Sequence, residues 1–217
     1  MSRIFLTSQS NFVIEQLSVL ANINPKETSI AFIINAQKPF LKEYPDPKWV
    51  KDEYSKLLEL DYIIEKVDLD TLNSNTIYQE LQKFDVIYCC GGSALYLIIS
   101  MRQSGFVEVI NKLLSEDKIY VGSSAGSMVC SPSLEMKAIL DDSAQVNDLI
   151  TQMNGDYNGL GLVNFLVSPH FNNPDYIPYF TRMVQFDNPR PEYSIIFLTD
   201  KQGIWIENNK LEIINKN

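Results

Sequence analysis

One motif in the sequence has a spacing that suits nucleophilic chemistry, Gly122-Ser123-Ser124-Ala125-Gly126. It matches the G-x-S-x-G nucleophile elbow, in which a strand turns sharply into a helix and exposes the central serine above the sheet edge. The backbone N–H of Ala125 would then point toward a negative oxygen formed beside the hydroxyl of Ser124. The motif predicts Ser124 as a nucleophile, while small-residue turns of this kind also arise for packing reasons.

The chain contains one histidine, His170, in the segment Ser168-Pro169-His170-Phe171. If Ser124 uses an imidazole base, that base is His170; the alternative is a structural hydrogen-bond donor at a strand end. An acidic group should orient the imidazole, and in nucleophile-elbow enzymes it lies between the serine and the histidine in the chain. Spacing does not choose among the acidic residues of this interval, which are Glu135, Asp141, Asp142, Asp148 and Asp156.

Two adjacent glycines, Gly91 and Gly92, follow the apolar run 85–90. They have a structural interpretation, since glycine ends a strand easily by adopting positive φ. They also have a functional one, because glycine lets a backbone N–H approach a ligand closely and act as a second oxyanion donor beside Ala125. The segment lacks the spacing of a dinucleotide fingerprint and has no Walker lysine, so phosphate binding is the weaker hypothesis.

Apolar, β-prone runs alternate with amphipathic segments up to the elbow, which predicts βαβ units and a mainly parallel sheet. The expected strands are 3–7, 29–34, 63–67, 85–90, 118–121 and 165–167, followed by a meander of 194–198, 203–206 and 211–214. The expected helices are 11–21, 47–60, 75–83, 94–100, 107–115 and 175–184, with an irregular stretch over 141–158. Ligands bind at the carboxyl ends of such strands. No repeat or linker interrupts the pattern, so we expect one domain over 1–217.

Composition narrows the function classes. The 217 residues carry a net charge of −9, which argues against nucleic acid or an anionic membrane surface as a partner. With neither an apolar run of membrane-spanning length nor a signal-peptide pattern, we expect a cytoplasmic protein. Cys89, Cys90 and Cys130 form neither a disulfide framework nor a C-x-x-C pattern, and one histidine disfavours zinc. We therefore expect no cofactor, although a metal held by carboxylates alone stays open.

Three segments together resemble the serine peptidase family of dipeptidase E (aspartyl dipeptidase) and cyanophycinase. They are Asp85-Val86-Ile87-Tyr88-Cys89-Cys90-Gly91-Gly92-Ser93-Ala94, Gly122-Ser123-Ser124-Ala125-Gly126-Ser127 and Ser168-Pro169-His170-Phe171. A weaker similarity covers 49–54, and the match follows most of the chain in order. The resemblance implies an α/β fold with a mostly parallel central sheet and helices on both faces, a class I glutamine amidotransferase-like or flavodoxin-like sandwich.

The resemblance also implies roles for individual residues. It makes Ser124 the nucleophile, His170 the general base and acid, and the N–H groups of Gly92 and Ala125 the oxyanion hole. The family's third member is an aspartate in the loop after the elbow helix, for which Glu135 is the best-placed equivalent here and Asp141 the second choice. Arg182 resembles an arginine that recognises the side chain of an N-terminal aspartate, and a guanidinium suits a carboxylate through paired hydrogen bonds.

We therefore expect a serine peptidase-like hydrolase that cleaves short peptides, including dipeptides with N-terminal Asp, through an acyl-enzyme on Ser124. Two alternatives stay open: an esterase-type acyl hydrolase, and a non-catalytic or regulatory protein of the same fold. The expected partner is a short peptide, and a homodimer is compatible with the sequence.

Overall fold

The computed structural model of the chain describes residues 2–141, 146–208 and 210–216. Within them a seven-stranded sheet has the order β3-β2-β4-β5-β1-β8-β9, and β6 and β7 form a second, two-stranded sheet. The strands are β1 (Arg3–Thr7), β2 (Ser29–Ile33), β3 (Ile63–Val67), β4 (Val86–Cys89), β5 (Ile119–Ser123), β6 (Leu166–Ser168), β7 (Ile195–Phe197), β8 (Gln202–Glu207) and β9 (Lys210–Asn215). Strands β1 to β5 are parallel, whereas β8 and β9 run antiparallel to their neighbours.

Helices connect and cover these strands. They are α1 (Leu17–Leu20), α2 (Lys48–Glu59), α3 (Ile77–Leu81), α4 (Ala94–Ser104), α5 (Phe106–Ser115), α6 (Ala125–Met128), α7 (Glu135–Leu140), α8 (Val146–Met153) and α9 (Ile177–Gln185). The chain moves from β1 to β3 in one direction along the sheet and returns from β3 to β5 in the other. Because such crossovers are right-handed, this reversal places helices on opposite faces. This architecture confirms the predicted fold, a mostly parallel α/β sandwich of the flavodoxin-like, class I glutamine amidotransferase-like type.

The central strands are continuous apolar runs because both of their faces are covered. All four residues of β4 and all five of β5 are buried. Such strands lack the alternation of a half-exposed sheet, which is why their sequence predicts a parallel, doubly covered sheet. The register pairs Leu6 and Cys89 with Gly122, so the carboxyl ends of β1, β4 and β5 lie at one edge. That edge carries Ser8, the Gly91-Gly92 turn and Ser124.

Three expectations about local structure differ from what is found. The segment expected as a helix over 11–21 forms two 3-10 turns before the short α1. The stretch expected to be irregular contains α8, whose buried Val146, Leu149 and Met153 recur at helical spacing. The C-terminal runs are not one meander: β7 pairs in parallel with β6, while β8 and β9 form a hairpin beside β1. None of the helices in the described ranges is both long and apolar enough to cross a membrane.

Candidate active site

The elbow at the end of β5 holds Ser124 in a strained backbone conformation, with φ 47° and ψ −104°. Strand β5 ends at Ser123 and helix α6 begins at Ala125, so the whole turn is made at one residue. A Cβ on Gly122 would lie 2.5 Å from the carbonyl oxygen of Gly126, and a Cβ on Gly126 would lie 2.1 Å from that of Cys89. Both contacts are too short for any side chain. Glycine is therefore required on either side of the serine to make the turn.

The structure brings Ser124 and His170 together, with 2.8 Å between Ser124 Oγ and His170 Nε2. His170 follows β6 by two residues and is buried, with 6% of its surface exposed. Its backbone N–H donates to Ser8 Oγ at 2.8 Å, which anchors the histidine to the end of β1. The ring also stacks on Tyr176, with 4.4 Å between ring centroids. Backbone and ring contacts together fix the orientation of the imidazole toward the serine.

The acidic partner of the imidazole is Asp200, whose Oδ1 lies 2.6 Å from His170 Nδ1. The same oxygen accepts a hydrogen bond from Ser8 Oγ at 3.1 Å, and Oδ2 accepts one from Asn173 Nδ2 at 3.1 Å. Burial acts to raise the pKa of Asp200. The hydrogen bond and charge of His170, together with hydrogen bonds from Ser8 and Asn173, outweigh burial, and the pKa of Asp200 is lowered. An ionised Asp200 favours the tautomer protonated at Nδ1, which leaves Nε2 free to accept the serine proton.

The expectation that Glu135 or Asp141 orients the imidazole is wrong in this structure. Glu135 Oε2 accepts a hydrogen bond from Arg190 Nε at 2.7 Å. Asp141 lies 3.0 Å from Lys137 Nζ, one turn back along the chain. Asp148 and Asp156 are exposed, unlike the buried imidazole. Asp142, the remaining acidic residue of the interval, lies outside the described residues.

A signal for Asp200 is present in the sequence. The residue follows the apolar run 194–198, which forms β7, just as His170 follows β6. Because β6 and β7 are parallel neighbours, their carboxyl ends meet at the same edge. The assumption that the acid precedes the histidine in the chain excludes Asp200 from a search by sequence alone. Chain order is free to vary when spatial geometry is kept.

The Gly91-Gly92 turn lies beside the elbow. Gly92 has φ 142°, and a Cβ there would lie 2.2 Å from the carbonyl oxygen of Ala36, so a side chain is excluded. Ser93 N donates to that same oxygen at 2.7 Å and holds the turn in place. On the other side, Ala125 is the first residue of α6, and its N–H is among the first-turn donors that have no acceptor within the helix. The glycine turn and the start of α6 thus both adjoin Ser124.

A cleft of about 440 Å³ opens over Ser124 and His170. Its aromatic lining consists of Phe40, Trp49 and Tyr176, and its other charged side chains are Lys48, Asp52, Glu53 and Asp175. Lys48 Nζ lies 2.5 Å from Asp52 Oδ2. Arg182 is not among the described residues that line the cleft. Its guanidinium donates two hydrogen bonds to the carbonyl oxygen of Leu140, at 3.0 and 3.2 Å.

Glu53 is a site residue that sequence reasoning misses. It lies on α2, is 4% exposed, and lines the cleft beneath the elbow. Burial raises the pKa of its carboxyl to about 7, although hydrogen bonds from Ser123, Tyr88 and Gly91 act to lower it. The signal is a charged residue on the buried face of an amphipathic helix, between Val50 and Leu57. Charged side chains are rarely buried unless they are partnered, so such a position points to a polar network.

The described residues offer no evident metal site. In the ranges 2–141, 146–208 and 210–216, no three or more His, Cys, Asp and Glu side chains are grouped so that they could hold a metal ion. The three cysteines are buried, and burial raises the pKa of the Cys89 thiol to about 12, so this thiol stays protonated. The nucleophile candidate that the geometry supports is Ser124, whose Oγ lies 2.8 Å from His170 Nε2.

Comparison with known proteins places the chain among peptidases. Residues 4–214 match the sequence profile of peptidase family S51. The chain is 28% identical to an uncharacterized peptidase, PM1590, of Pasteurella multocida, over 100% of this chain and 99% of that protein. It is 28% identical to Peptidase E of Streptomyces coelicolor over 44% of this chain and 35% of that protein.

Among solved structures, the fold matches a provisionally named Peptidase E protein from Listeria monocytogenes EGD-e. The TM-score is 0.83 with 24% sequence identity, and the match covers 100% of both chains. A peptidase from an acI-B1 Actinobacterium matches with a TM-score of 0.69 and 18% identity, over 99% of this chain and 88% of that one. The two solved structures show the shared fold. The family profile, which spans nearly the whole sequence, and the named sequence relatives support a peptidase function. The chain belongs to peptidase family S51.

Proposed function

We propose that this protein is a serine peptidase that hydrolyses short peptides through an acyl-enzyme on Ser124. The observation that carries the proposal is the continuous hydrogen-bonded chain from Ser124 Oγ through His170 to Asp200, with distances of 2.8 and 2.6 Å. Nucleophile, base and orienting acid within hydrogen-bond reach of one another are the arrangement that activates a serine for acyl transfer.

In the first half of the reaction, His170 Nε2 takes the proton from Ser124 Oγ as the oxygen attacks the peptide carbonyl carbon. The N–H groups of Gly92 and Ala125 stabilise the oxyanion that forms. His170 then gives its proton to the leaving amine, the C–N bond breaks, and the amine departs. Asp200 stays ionised throughout and stabilises the imidazolium cation, in keeping with its lowered pKa.

In the second half, His170 takes a proton from water, and the resulting hydroxide equivalent attacks the acyl carbon. A second oxyanion forms against Gly92 and Ala125. The ester bond to Ser124 breaks, its oxygen regains the proton from His170, and the acid product leaves. The free enzyme is thereby restored.

For the substrate we propose short peptides as a class. A preference for N-terminal Asp needs a cation that faces the cleft, and Arg182 is not part of the cleft lining. Among the described residues of that lining, Lys48 is the one lysine or arginine, and it is paired with Asp52. Within the described part of the cleft, an N-terminal aspartate therefore meets no lysine or arginine that lacks an acidic partner.

The non-catalytic alternative is motivated by a glutamate, Glu135, at the position where the family has an aspartate to orient the histidine. Because Asp200 occupies that place, the motivation disappears. No specific observation favours an esterase over a peptidase.

The test is a digest of a panel of dipeptides and short peptides, with N-terminal Asp and other residues, by the wild type and by Ser124→Ala. We expect hydrolysis by the wild type and its loss in Ser124→Ala. Ser115→Ala is the matched control, since Ser115 ends α5 and its hydroxyl donates only to the carbonyl of Lys112, 2.7 Å away. Equal hydrolysis by wild type and Ser124→Ala would overturn the proposal.

A further inference from the structure

A buried carboxyl beneath the elbow has no part in the reaction described above. Glu53 projects from α2 with one carboxyl oxygen toward the elbow and the other toward the glycine turn. Its Oε1 accepts a hydrogen bond from Ser123 Oγ at 2.5 Å, and its Oε2 accepts one from the backbone N–H of Gly91 at 3.4 Å. Ser123 and Gly91 are the residues next to Ser124 and Gly92. One side chain thus joins the two segments that supply the oxyanion donors.

We propose that Glu53 is a positioning residue for the reaction at Ser124, joining the Gly91-Gly92 turn to the end of β5 and so fixing the spacing of the two oxyanion donors. This inference rests on the proposed function. The donors must lie within hydrogen-bond distance of one oxygen atom, and they come from segments more than 30 positions apart in the sequence. A link between these segments therefore bears directly on the oxyanion hole.

Close packing leaves little room for the two segments to move independently of Glu53. A Cβ built on Gly91 would lie 3.4 Å from Glu53 Oε1, 3.5 Å from Ser124 Cβ and 3.6 Å from Trp49 Cδ1. The glycine turn, the nucleophile and two residues of α2 thus converge within a few ångströms. Loss of the carboxyl would leave the Ser123 hydroxyl and the Gly91 N–H without this acceptor in a buried place. Because an unsatisfied buried donor is unfavourable, both groups would shift toward other acceptors.

The carboxyl is itself held by a wider network. Tyr88, on β4, hydrogen-bonds to Glu53 and also to Ser10 Oγ. Ser10 N in turn donates to Ser123 Oγ at 3.2 Å. The network links the ends of β1, β4 and β5, which are the strands that present the site. An oriented acceptor held from several sides suits positioning better than proton transfer to the substrate.

The electrostatics of Glu53 are compatible with this role. Burial raises the pKa of its carboxyl to about 7, so a large part of the population is uncharged near neutral pH. An uncharged carboxyl still accepts hydrogen bonds, and it adds no negative charge beside the place where an oxyanion forms. A fully ionised carboxylate there would oppose that oxyanion.

The experiment compares kcat and KM for Glu53→Met and Glu53→Gln on a peptide that the wild type cleaves. Methionine keeps the unbranched shape but removes the acceptors, whereas glutamine keeps one acceptor oxygen. We expect kcat of Glu53→Met to fall about 10- to 100-fold with KM changed less than about threefold, because a displaced oxyanion donor affects the transition state. Glu53→Gln should restore kcat to within about threefold of wild type.

A control is needed for general destabilisation of α2. Leu57→Ala removes a fully buried side chain one turn away on the same face, and it should lower the urea midpoint of unfolding while folded molecules keep their kcat. If Glu53→Met folds and retains the wild-type kcat, or if Leu57→Ala lowers kcat as much as Glu53→Met does, the positioning role is refuted.

If Glu53→Met does not fold, Ser123→Ala decides the question, because it removes the other end of the same hydrogen bond. We then expect a roughly fivefold or larger fall in kcat with KM little changed, and an unchanged kcat would refute the inference. Ser124→Ala is measured in parallel. Cleavage that is independent of Ser124 would overturn the proposed function and this inference with it. Cleavage that depends on Ser124 but not on Glu53 or Ser123 would overturn this inference alone.

Discussion

Replacing Glu53 with glutamine should change how the stability of this protein depends on pH. Glutamate has an ordinary pKa of 4.5, and burial raises the pKa of Glu53 to about 7. The folded protein therefore holds this proton more tightly than the unfolded chain does. The stabilisation that results is complete below about pH 4.5 and is lost as the pH rises through about 7. The nearby charge of Asp52 also raises the pKa of Glu53, whereas the hydrogen bond from the Tyr88 hydroxyl lowers it.

The size of the effect follows from the two pKa values. The gap between 4.5 and about 7, at about 1.4 kcal/mol for each pH unit, corresponds to about 3 kcal/mol of unfolding free energy. About 2–3 kcal/mol of it falls between about pH 5 and pH 8, because the unfolded chain is already partly ionised at the lower value. A glutamine side chain at this position cannot titrate. The free energy of unfolding of Glu53→Gln relative to wild type should therefore rise by about 2–3 kcal/mol over this interval.

The assay is urea unfolding of both proteins at several pH values in this range. Glu59→Gln is the matched control, since Glu59 lies on the same helix, is mostly exposed and is 3.5 Å from Lys56. Its difference from wild type should stay constant within about 0.5 kcal/mol. A constant difference for Glu53→Gln, or one that moves in favour of the wild type as pH rises, would refute the reasoning about this buried carboxyl.

Three further predictions concern the triad of Ser124, His170 and Asp200, the oxyanion hole and the elbow. Asp200→Asn should lower kcat about 10³- to 10⁴-fold in a peptide-cleavage assay, because the imidazole loses its orienting charge. Glu135→Gln should keep kcat within about threefold of wild type, and the reverse ranking would contradict Asp200 as the acidic partner of His170. Gly92→Ala should lower kcat at least about 100-fold, since its Cβ would lie 2.2 Å from a backbone oxygen and the turn must shift. A wild-type kcat would show that the Gly92 N–H does not donate to the oxyanion. Gly126→Ala should lower the free energy of unfolding by at least about 2 kcal/mol, because its Cβ would lie 2.1 Å from the carbonyl oxygen of Cys89. An unchanged midpoint of urea unfolding would contradict that contact.

The parts of the site that can be predicted from the sequence are those whose residues lie within one short segment. The elbow around Ser124 needs small residues at fixed positions, and the structure shows the steric reason for each glycine. His170 is the one histidine of the chain, so its pairing with the serine could be foreseen without any knowledge of the topology. The central parallel strands could be foreseen too, because strands buried on both faces are continuous apolar runs.

Other features depend on contacts that no local pattern records. Asp200 reaches His170 because β7 pairs in parallel with β6, and a run of short strands at the end of a chain does not reveal which neighbour each one takes. The role that we propose for Glu53 depends on its side chain reaching from α2 to the ends of β4 and β5. Its sequence position shows a charge on an apolar face, but its partners Ser123 and Gly91 come from distant segments. The role expected of Arg182 likewise rests on the resemblance alone, and in the fold its guanidinium donates to the backbone carbonyl of Leu140.

Covalent labelling measures whether Ser124 is an activated nucleophile, on which the proposed function depends. Folded wild type, Ser124→Ala and urea-unfolded wild type are each treated with a fluorophosphonate, and adducts are located by mass spectrometry of the intact and digested protein. We expect one adduct per folded wild-type chain, on Ser124, and none in the other two samples. No adduct on folded wild type, or an equal adduct in Ser124→Ala, would contradict it.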